Sequence, residues 1–149
     1  MIISNPDFGE SEVISMAFDT NLEKPVMICQ PLRAGEPPLI TIPLDGEQID
    51  GLPNSTDFIN FTEVAKKHPK PVKHFKGMVY QIVGSAFSLE TEKVTFIYKP
   101  LYDCVYPVFT RHKDVFFDTF HRDGKDYKRF IEIELNDLTE QARGYRKII

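Results

Sequence analysis

The sequence predicts a mainly β protein built from two related small β-modules in tandem, with one or two short helices. Three observations lead to this prediction. Segments rich in β-branched and aromatic residues outnumber helical patterns, turn residues separate them, and the chain resembles itself at an offset of 69 residues. Its 149 residues, 42% of them hydrophobic, suffice for one medium domain or two very small ones. The self-similarity at this offset favours two small domains.

The strands are clearest in the second half of the chain. Residues 78–87 are rich in β-branched and aromatic side chains, and a polar turn over residues 88–93 follows them. Residues 94–98 fit the returning strand, which we expect to end at Pro100 because proline cannot donate a ladder hydrogen bond. Residues 105–111 predict a third strand. These segments together predict a hairpin extended by one more strand.

Two shorter patterns predict further β structure. Asp123 and Gly124 are expected to form a tight hairpin turn, since glycine adopts positive φ freely. Residues 130–135 then alternate apolar and acidic side chains, which is typical of a half-buried strand.

Helical patterns are few and short. A helix is predicted over residues 57–67, with Ser55 or Thr56 as its N-cap, and a linker that starts at Pro69 ends it. A second helix is predicted over residues 137–146, with the asparagine before it as the N-cap.

The internal repeat defines the predicted domains. A shift of 69 aligns residues 13–45 with residues 82–114 without a gap and gives ten identities in 33 positions. Average composition gives roughly two by chance. We therefore expect a degenerate first β-module with its linker helix over residues 1–69, and a second module with a C-terminal helix over residues 70–149. A module of this size is marginal alone, so the two copies are expected to pack together.

The two copies differ in polar residues. Tyr98 and Arg111 of the second copy stand where the first has Cys29 and Ile42. Because half-buried polar groups need partners, the loss of the arginine indicates that a site was lost from the first copy. A site is therefore expected in the second copy.

A set of motifs over about residues 72–131 carries a resemblance to a known family. The motifs are Lys73-His74-Phe75-Lys76-Gly77, Tyr80, Gly84, Ala86, Glu90-Thr91-Glu92, Tyr98, Leu101-Tyr102, Arg111, Phe116 and Arg129-Phe130. In combination they resemble the bacterial domain-of-unknown-function family 1653. The chain departs from that pattern at Phe75, Phe109 and His112, where the family has tyrosine, tryptophan and proline. The resemblance implies a small SH3-like curled β-sheet, a short helical turn near residues 114–117, and no known activity.

Composition narrows the classes of function. The formal net charge is -4, which argues against a nucleic-acid coat or a polybasic membrane clamp, although residues 1–69 carry -7 and residues 70–149 carry +3. No apolar stretch approaches the roughly 20 residues that span a bilayer, and the N-terminus lacks a secretory pattern. The two cysteines are too few for a disulfide framework, so we expect a cytoplasmic protein.

Two groups of residues are candidates for binding. Tyr98, Tyr102, Phe109 and Arg111 fall on adjacent predicted strands and could line a shallow pocket for an anionic or planar ligand. The competing interpretation pairs Arg111 internally with Glu90 or Glu92. The second group combines cations with aromatic residues and predicts contact with an anion or nucleic acid. Its members are Lys73, His74, Lys76, Lys128 and Arg129.

Catalytic and metal-binding patterns are weak. The four histidines and two cysteines lack metal-site spacing, so neither a metal nor another cofactor is expected. Cys104 and His112 flank one predicted strand, and a nearby imidazole can activate a thiol, which leaves a cysteine-dependent enzyme as a remote alternative.

The sequence thus favours an uncharacterised, non-enzymatic binding module for a protein partner or a small anionic ligand. A nucleotide- or nucleic-acid-binding module, of phage or defence context, is the main alternative. A homo-oligomer is compatible with the sequence, and no membrane contact is expected.

Overall fold

The computed structural model describes residues 1–33, 39–44 and 63–146. In these ranges the protein is mainly β, with two short α-helices. The strands and helices, in chain order, are β1 (Ile2–Asn5), β2 (Gly9–Asp19), β3 (Lys24–Pro31), β4 (Ile40–Pro43), α1 (Glu63–Lys67), β5 (Val72–His74), β6 (Val79–Ser88), β7 (Lys93–Pro100), β8 (Phe109–His112), β9 (Thr119–Arg122), β10 (Lys125–Lys128), β11 (Phe130–Glu132) and α2 (Glu140–Tyr145). No helix in the described ranges is long and apolar enough to cross a membrane.

Two long antiparallel hairpins form the centre of the sheet. The first pairs β2 with β3 and continues to β4, and the second pairs β6 with β7 and continues to β8. Short strands then extend each hairpin. β1 pairs with β2, β5 pairs with β6, and β11 pairs with the other side of β5. The separate β9–β10 hairpin completes the β structure of the described residues.

Parallel pairings join the two hairpins at both sides. β4 lies parallel to β6, with Ile40 opposite Phe87, and β2 lies parallel to β8, with Phe18 opposite Phe109. We call these two pairings the seams. The pairings therefore run in a closed circuit through β6, β4, β3, β2, β8 and β7. Because each seam joins a strand from one half to a strand from the other, the halves share one sheet.

The pairings of the two hairpins coincide when residue numbers are shifted by 69. The register irregularity lies between Val13 and Ser15 in the first hairpin and between Ile82 and Gly84 in the second. The tight turns coincide too, since Glu23 and Glu92 adopt φ of 56° and 55°. Seam bonds follow the same shift, with Thr20 N donating to Thr110 O at 2.9 Å and Leu89 N donating to Thr41 O at 3.1 Å.

The central strands β3, β6 and β7 are buried on both faces, which explains their continuous apolar runs. Ile97 packs in a cluster that draws on both halves, including Ala17, Ile28 and Val83. Side chains alternate along a strand, so the neighbours of Ile97 point to the opposite face, where a second cluster is mostly aromatic. Its buried members are Val72, Tyr80, Ile82, Phe96, Tyr98, Phe116 and Phe130.

Several predicted elements are confirmed. The returning strand ends at Pro100, and Asp123 and Gly124 form the β9–β10 turn with φ of 53° and 78°. A 3-10 turn over Lys113–Val115 matches the helical turn that the resemblance implied.

Other predicted elements are shorter than expected. Of the strand over residues 105–111 only Phe109 onwards is paired, and the strand from Phe130 ends at Glu132. The C-terminal helix begins later than predicted, because Thr139 rather than Asn136 is its N-cap, with Thr139 Oγ1 accepting from Ala142 N at 3.1 Å. The first predicted helix is observed over Glu63–Lys67, and its predicted cap at Ser55 or Thr56 lies outside the described residues.

Candidate functional site

The first group of candidate residues lies on one face of the β7–β8 pair. Tyr98 is opposite Phe109, and Phe96 is opposite Arg111. Directly opposed residues on antiparallel strands project to the same face. Phe109 and Arg111 therefore project from β8 to the same face of the sheet. Arg111, near the end of that strand, adds a cation to an aromatic surface.

Tyr98 and Phe109 form the floor beside Arg111. Their rings stack with centroids 5.8 Å apart, and Tyr80 packs edge-on against Tyr98 at 5.3 Å. Tyr98 is buried, whereas Phe109 is half-buried. Burial raises the pKa of Tyr98 to about 12, so its hydroxyl is neutral at physiological pH.

Tyr102 joins this surface through Tyr80. The two hydroxyl oxygens lie 2.7 Å apart in a hydrogen bond, and the rings pack edge-on with centroids 5.6 Å apart. Burial raises the pKa of both tyrosines, so both hydroxyls remain protonated. The structure thus brings all four residues of the first group to one aromatic surface.

No acidic side chain in the described part of the chain forms an ion pair with Arg111. Its Nε is buried and makes no hydrogen bond, and among the described residues its guanidinium has no ion-pair partner. The predicted internal pairing with Glu90 or Glu92 is therefore wrong. Burial lowers the pKa of Arg111 most and Arg129 lowers it further, while Tyr98, Asp118 and Asp19 raise it. An arginine with an unpaired buried donor is poised to accept a ligand anion.

Arg129 supplies a second cation close to Arg111. Its Nε donates to Asp118 Oδ1 at 3.0 Å, and its backbone N donates to Asp118 O at 2.9 Å. The guanidinium also lies over the ring of Phe120, with its carbon 4.7 Å from the centroid. Asp118 therefore orients Arg129 and neutralises one charge, which leaves one net positive charge on the two arginines.

His74 contacts the aromatic cluster and is influenced electrostatically by both arginines. Burial, Lys76, Arg129 and Arg111, in that order, lower its pKa to about 4, so the imidazole is neutral. Its Nδ1 accepts from Lys76 N at 3.2 Å, and its ring packs against Phe130 with centroids 5.0 Å apart. The electrostatic effects place His74, Lys76, Arg111 and Arg129 in one neighbourhood.

The remaining two cations of the second group are more peripheral. Lys73 and Lys128 are exposed on β5 and β10. Tyr80 and Asp118, by contrast, belong to the site but were not predicted as site residues. The alignment of the two copies places Tyr80 opposite Ser11, a difference that could have identified it. No sequence pattern marks Asp118, because its role depends on the chain turning back at Arg129.

Cys104 and His112 are not brought together. His112 Nε2 lies 3.0 Å from Thr91 Oγ1, and its backbone N donates to Asn21 Oδ1 at 2.7 Å. Cys104 is exposed in a cleft of about 250 Å³ that Tyr102 and Tyr106 also line. No cluster of three or more potential metal ligands occurs in the described residues.

Comparisons with known proteins place the site in the region of a known family. A family model described as "Protein of unknown function (DUF1653)" matches residues 70–132. A crystal structure of a DUF1653 protein from Bordetella bronchiseptica matches with 27% sequence identity and a TM-score of 0.39, and covers 44% of this chain and 85% of that one. No curated protein matches the chain. The resemblance of the second half to this family is therefore confirmed, and the family is uncharacterised.

Proposed function

We propose that this protein is a non-enzymatic binding module whose ligand is a small anion held by Arg111. One observation carries the proposal: Arg111 Nε is buried without a hydrogen-bond partner. A buried unpaired donor costs about 1–3 kcal/mol, so a side chain of this kind persists more readily where a ligand completes it.

The surroundings of Arg111 indicate the chemistry of the ligand. Arginine presents a planar fork that fits carboxylate or phosphate oxygens, and Arg129 adds a second cation. The half-buried rings of Phe109 and Tyr102 offer an apolar surface beside that fork. A small carboxylate or phosphate attached to a planar group fits this combination of charge and aromatic surface.

The aligned position in the first half supports a single site. Ile42 stands where the second half has Arg111, and Cys29 stands where it has Tyr98. Ile42 packs against an apolar cluster with Met27 and Cys29. An aliphatic residue thus fills the aligned position without a charge, which favours a role for Arg111 other than holding the fold together.

We also propose that the chain consists of two tandem related SH3-like modules, over residues 1–69 and 70–149. The recurrence of strand registers, turn conformations and seam bonds at an offset of 69 supports this organisation. Ten identities over 33 aligned positions support it independently.

A nucleotide- or nucleic-acid-binding module is a second candidate, favoured by one specific feature. Lys76 lies over the ring of Phe75 at 5.8 Å and Arg129 over that of Phe120 at 4.7 Å, and the two rings pack at 4.7 Å. Cations beside half-buried rings suit phosphate contact with base stacking. Steep salt dependence of binding to a single-stranded oligonucleotide would distinguish this candidate from a small-anion site.

The test measures thermal stabilisation and binding heat with two probes, sodium phosphate and sodium benzoate, at low ionic strength. Wild-type protein is compared with Arg111→Ile, which introduces the residue of the aligned position. A ligand at 100 times its Kd raises the free energy of unfolding by about 2.7 kcal/mol. We expect stabilisation of the wild type by at least one probe and none of Arg111→Ile, whose own stability should equal or exceed that of the wild type.

The matched control is Arg122→Gln, because Arg122 is exposed on the β9–β10 hairpin away from the aromatic floor. This variant should respond to the probes as the wild type does. If neither probe stabilises the wild type, or if Arg111→Ile loses stability and keeps the response, the anion site is rejected and Arg111 is structural.

A further inference from the structure

Asp118 places a carboxylate beside the proposed anion site. Its Oδ1 accepts from Arg129 Nε at 3.0 Å, and its carbonyl O accepts from Arg129 N at 2.9 Å. The side chains of Arg129 and Asp118 are only 25% and 33% exposed. Charges that are partly removed from solvent are screened less than exposed ones, so this carboxylate acts on its surroundings more strongly than a surface carboxylate does.

The ion pair leaves part of Arg129 available to a ligand. Asp118 contacts Nε, whereas neither terminal nitrogen of Arg129 hydrogen-bonds another described residue. Repulsion from Arg129 lowers the pKa of Arg111, which indicates that the two guanidinium groups lie near each other. An anion held by Arg111 therefore also comes close to Arg129 and to the carboxylate that orients it.

The charges around Arg111 nearly cancel. Within the described ranges, the ionised groups that act electrostatically on Arg111 or on the neutral His74 include Arg129, Lys76, Asp118 and Asp19. With Arg111 itself, three cations stand against two carboxylates, which leaves one net positive charge. A bound monoanion neutralises that charge, whereas a dianion leaves an excess of negative charge beside Asp118.

The aromatic floor adds a second penalty for a dianion. Tyr98 is buried and Phe109 is half-buried on the face from which Arg111 projects. The cost of removing an ion from water rises with the square of its charge, so a dianion loses about four times the solvation energy of a monoanion of the same size. A single net positive charge does not compensate for that difference.

Building on the anion site proposed above, we propose that the site selects monoanionic aromatic carboxylates over dianionic phosphates, and that Asp118 determines this selectivity. Arg111 and Arg129 bind the carboxylate of the ligand, and the planar group of the ligand packs on the ring of Phe109. Asp118 holds Arg129 in place and repels a second negative charge. It is thus both a positioning residue and a specificity residue.

The test compares two probes that share a phenyl ring, sodium benzoate and disodium phenyl phosphate. Their Kd values are measured by isothermal titration calorimetry of the full chain at pH 8 and low ionic strength. Phosphate groups lose their second proton near pH 6, so phenyl phosphate is a dianion under these conditions. For the wild type, we expect the Kd of phenyl phosphate to exceed that of benzoate by about tenfold or more.

Asp118→Asn separates charge from position, because the amide keeps an oxygen that accepts from Arg129 Nε. Both probes should bind this variant more tightly than the wild type. The doubly charged probe should gain about tenfold more than benzoate, since it carries twice the charge near the lost carboxylate. The ratio of the two Kd values should therefore fall about tenfold, whereas a purely structural role of Asp118 would leave the ratio unchanged. Circular dichroism and thermal melting check the fold of the variant.

Asp7→Asn is the matched control, because it changes the net charge of the chain as Asp118→Asn does. Asp7 is exposed in the turn before β2, at the opposite end of that strand from Asp19, which lies at the seam with β8. This variant should keep the wild-type ratio of Kd values.

Two results would overturn the selectivity alone. They are a wild type that binds phenyl phosphate as tightly as benzoate, and an Asp118→Asn variant that keeps the wild-type ratio, provided that Arg111→Ile still abolishes binding of both probes. If the wild type binds neither probe, or if Arg111→Ile binds them as the wild type does, the anion site itself is rejected and the selectivity with it.

Discussion

Asp19 and Thr110 connect the two halves of the protein by a buried hydrogen bond, in which Thr110 Oγ1 donates to Asp19 Oδ2 at 2.9 Å. The other carboxylate oxygen accepts from the backbone N of Asn21 at 2.9 Å and of Leu22 at 2.8 Å. One carboxylate therefore closes the turn after β2 and ties that strand to β8 across the seam.

Asp19→Ala is expected to lower the free energy of unfolding by about 2–3 kcal/mol, because it removes three hydrogen bonds and leaves a buried hydroxyl without its acceptor. Thr110→Val should cost about 1–2 kcal/mol for the loss of one charge-assisted bond. Urea unfolding of both variants and of the double variant measures their coupling. Strictly additive losses would contradict the assignment of this bond.

Ser88 provides a matched control for Asp19, since it is the residue 69 positions later. Within the described ranges its Oγ accepts one hydrogen bond, from Thr91 N at 3.3 Å. Ser88→Ala should therefore cost less than Asp19→Ala, about 1 kcal/mol. An equal loss in the two variants would indicate that burial and not the seam bond determines the effect.

Glu23 and Glu92 occupy the same turn position in the two hairpins with left-handed φ of 56° and 55°. This conformation strains a residue with a Cβ but not glycine. Glu23→Gly and Glu92→Gly should each raise the free energy of unfolding, by about 0.5–1 kcal/mol and by similar amounts. Glu90→Gly, in the same turn without positive φ, should not stabilise. A stabilised Glu90→Gly would contradict the explanation.

Alkaline pH should destabilise the protein through its buried tyrosines. Burial raises the pKa of Tyr98 to about 12 from 10.0, and it also raises the pKa of Tyr80. Above pH 10 the unfolded chain loses these protons while the folded chain keeps them. The contribution of these tyrosines to the free energy of unfolding is therefore fully present below pH 10. It is lost as pH rises towards 12, by roughly 1.4 kcal/mol per pH unit for each buried tyrosine. Guanidinium unfolding between pH 8 and 11 measures this slope.

Tyr98→Phe removes one of these titrating groups and should reduce the alkaline slope without changing the slope below pH 9. An identical slope in Tyr98→Phe and the wild type would show that other groups cause the alkaline loss.

Acid pH should destabilise the protein in part through His74. Its folded pKa is lowered to about 4 from 6.5, chiefly by burial, so the unfolded chain takes up the proton first. The stability that the neutral imidazole provides is present above pH 6.5 and is lost as pH falls towards 4. His74→Asn should flatten the stability profile between pH 7 and 5. His121→Asn, at an exposed histidine of the β9–β10 hairpin, is the matched control variant.

Local sequence patterns predicted the β6–β7 and β9–β10 hairpins, because hairpins depend on neighbouring residues. Strand β7 and its end at Pro100 follow from β-branched composition and the missing proline donor. Predicted strands that depend on distant partners were correct in place but wrong at their ends. The segment 105–111 is apolar enough for a strand, yet it is paired only from Phe109 onwards, where β7 and β2 offer partners.

The candidate site was predictable as a set of residues but not as an arrangement. The difference between Arg111 and Ile42 singled out a residue of β8, whereas the competing pairing of Arg111 with Glu90 or Glu92 is not observed. Strand direction places Arg111 opposite Phe96, and Arg129 returns to it only because the chain turns back at Asp118 after β8. No local pattern encodes that return.

The sequence by itself determined that the protein is mainly β, that its halves align at an offset of 69 residues, and that Arg111 distinguishes the second half. Turn chemistry, side-chain alternation and proline positions are local properties, so they can be read along the chain. The tertiary structure decided the two parallel seams and the buried unpaired Nε of Arg111. These features depend on which strands meet across large sequence separations, where burial first becomes defined.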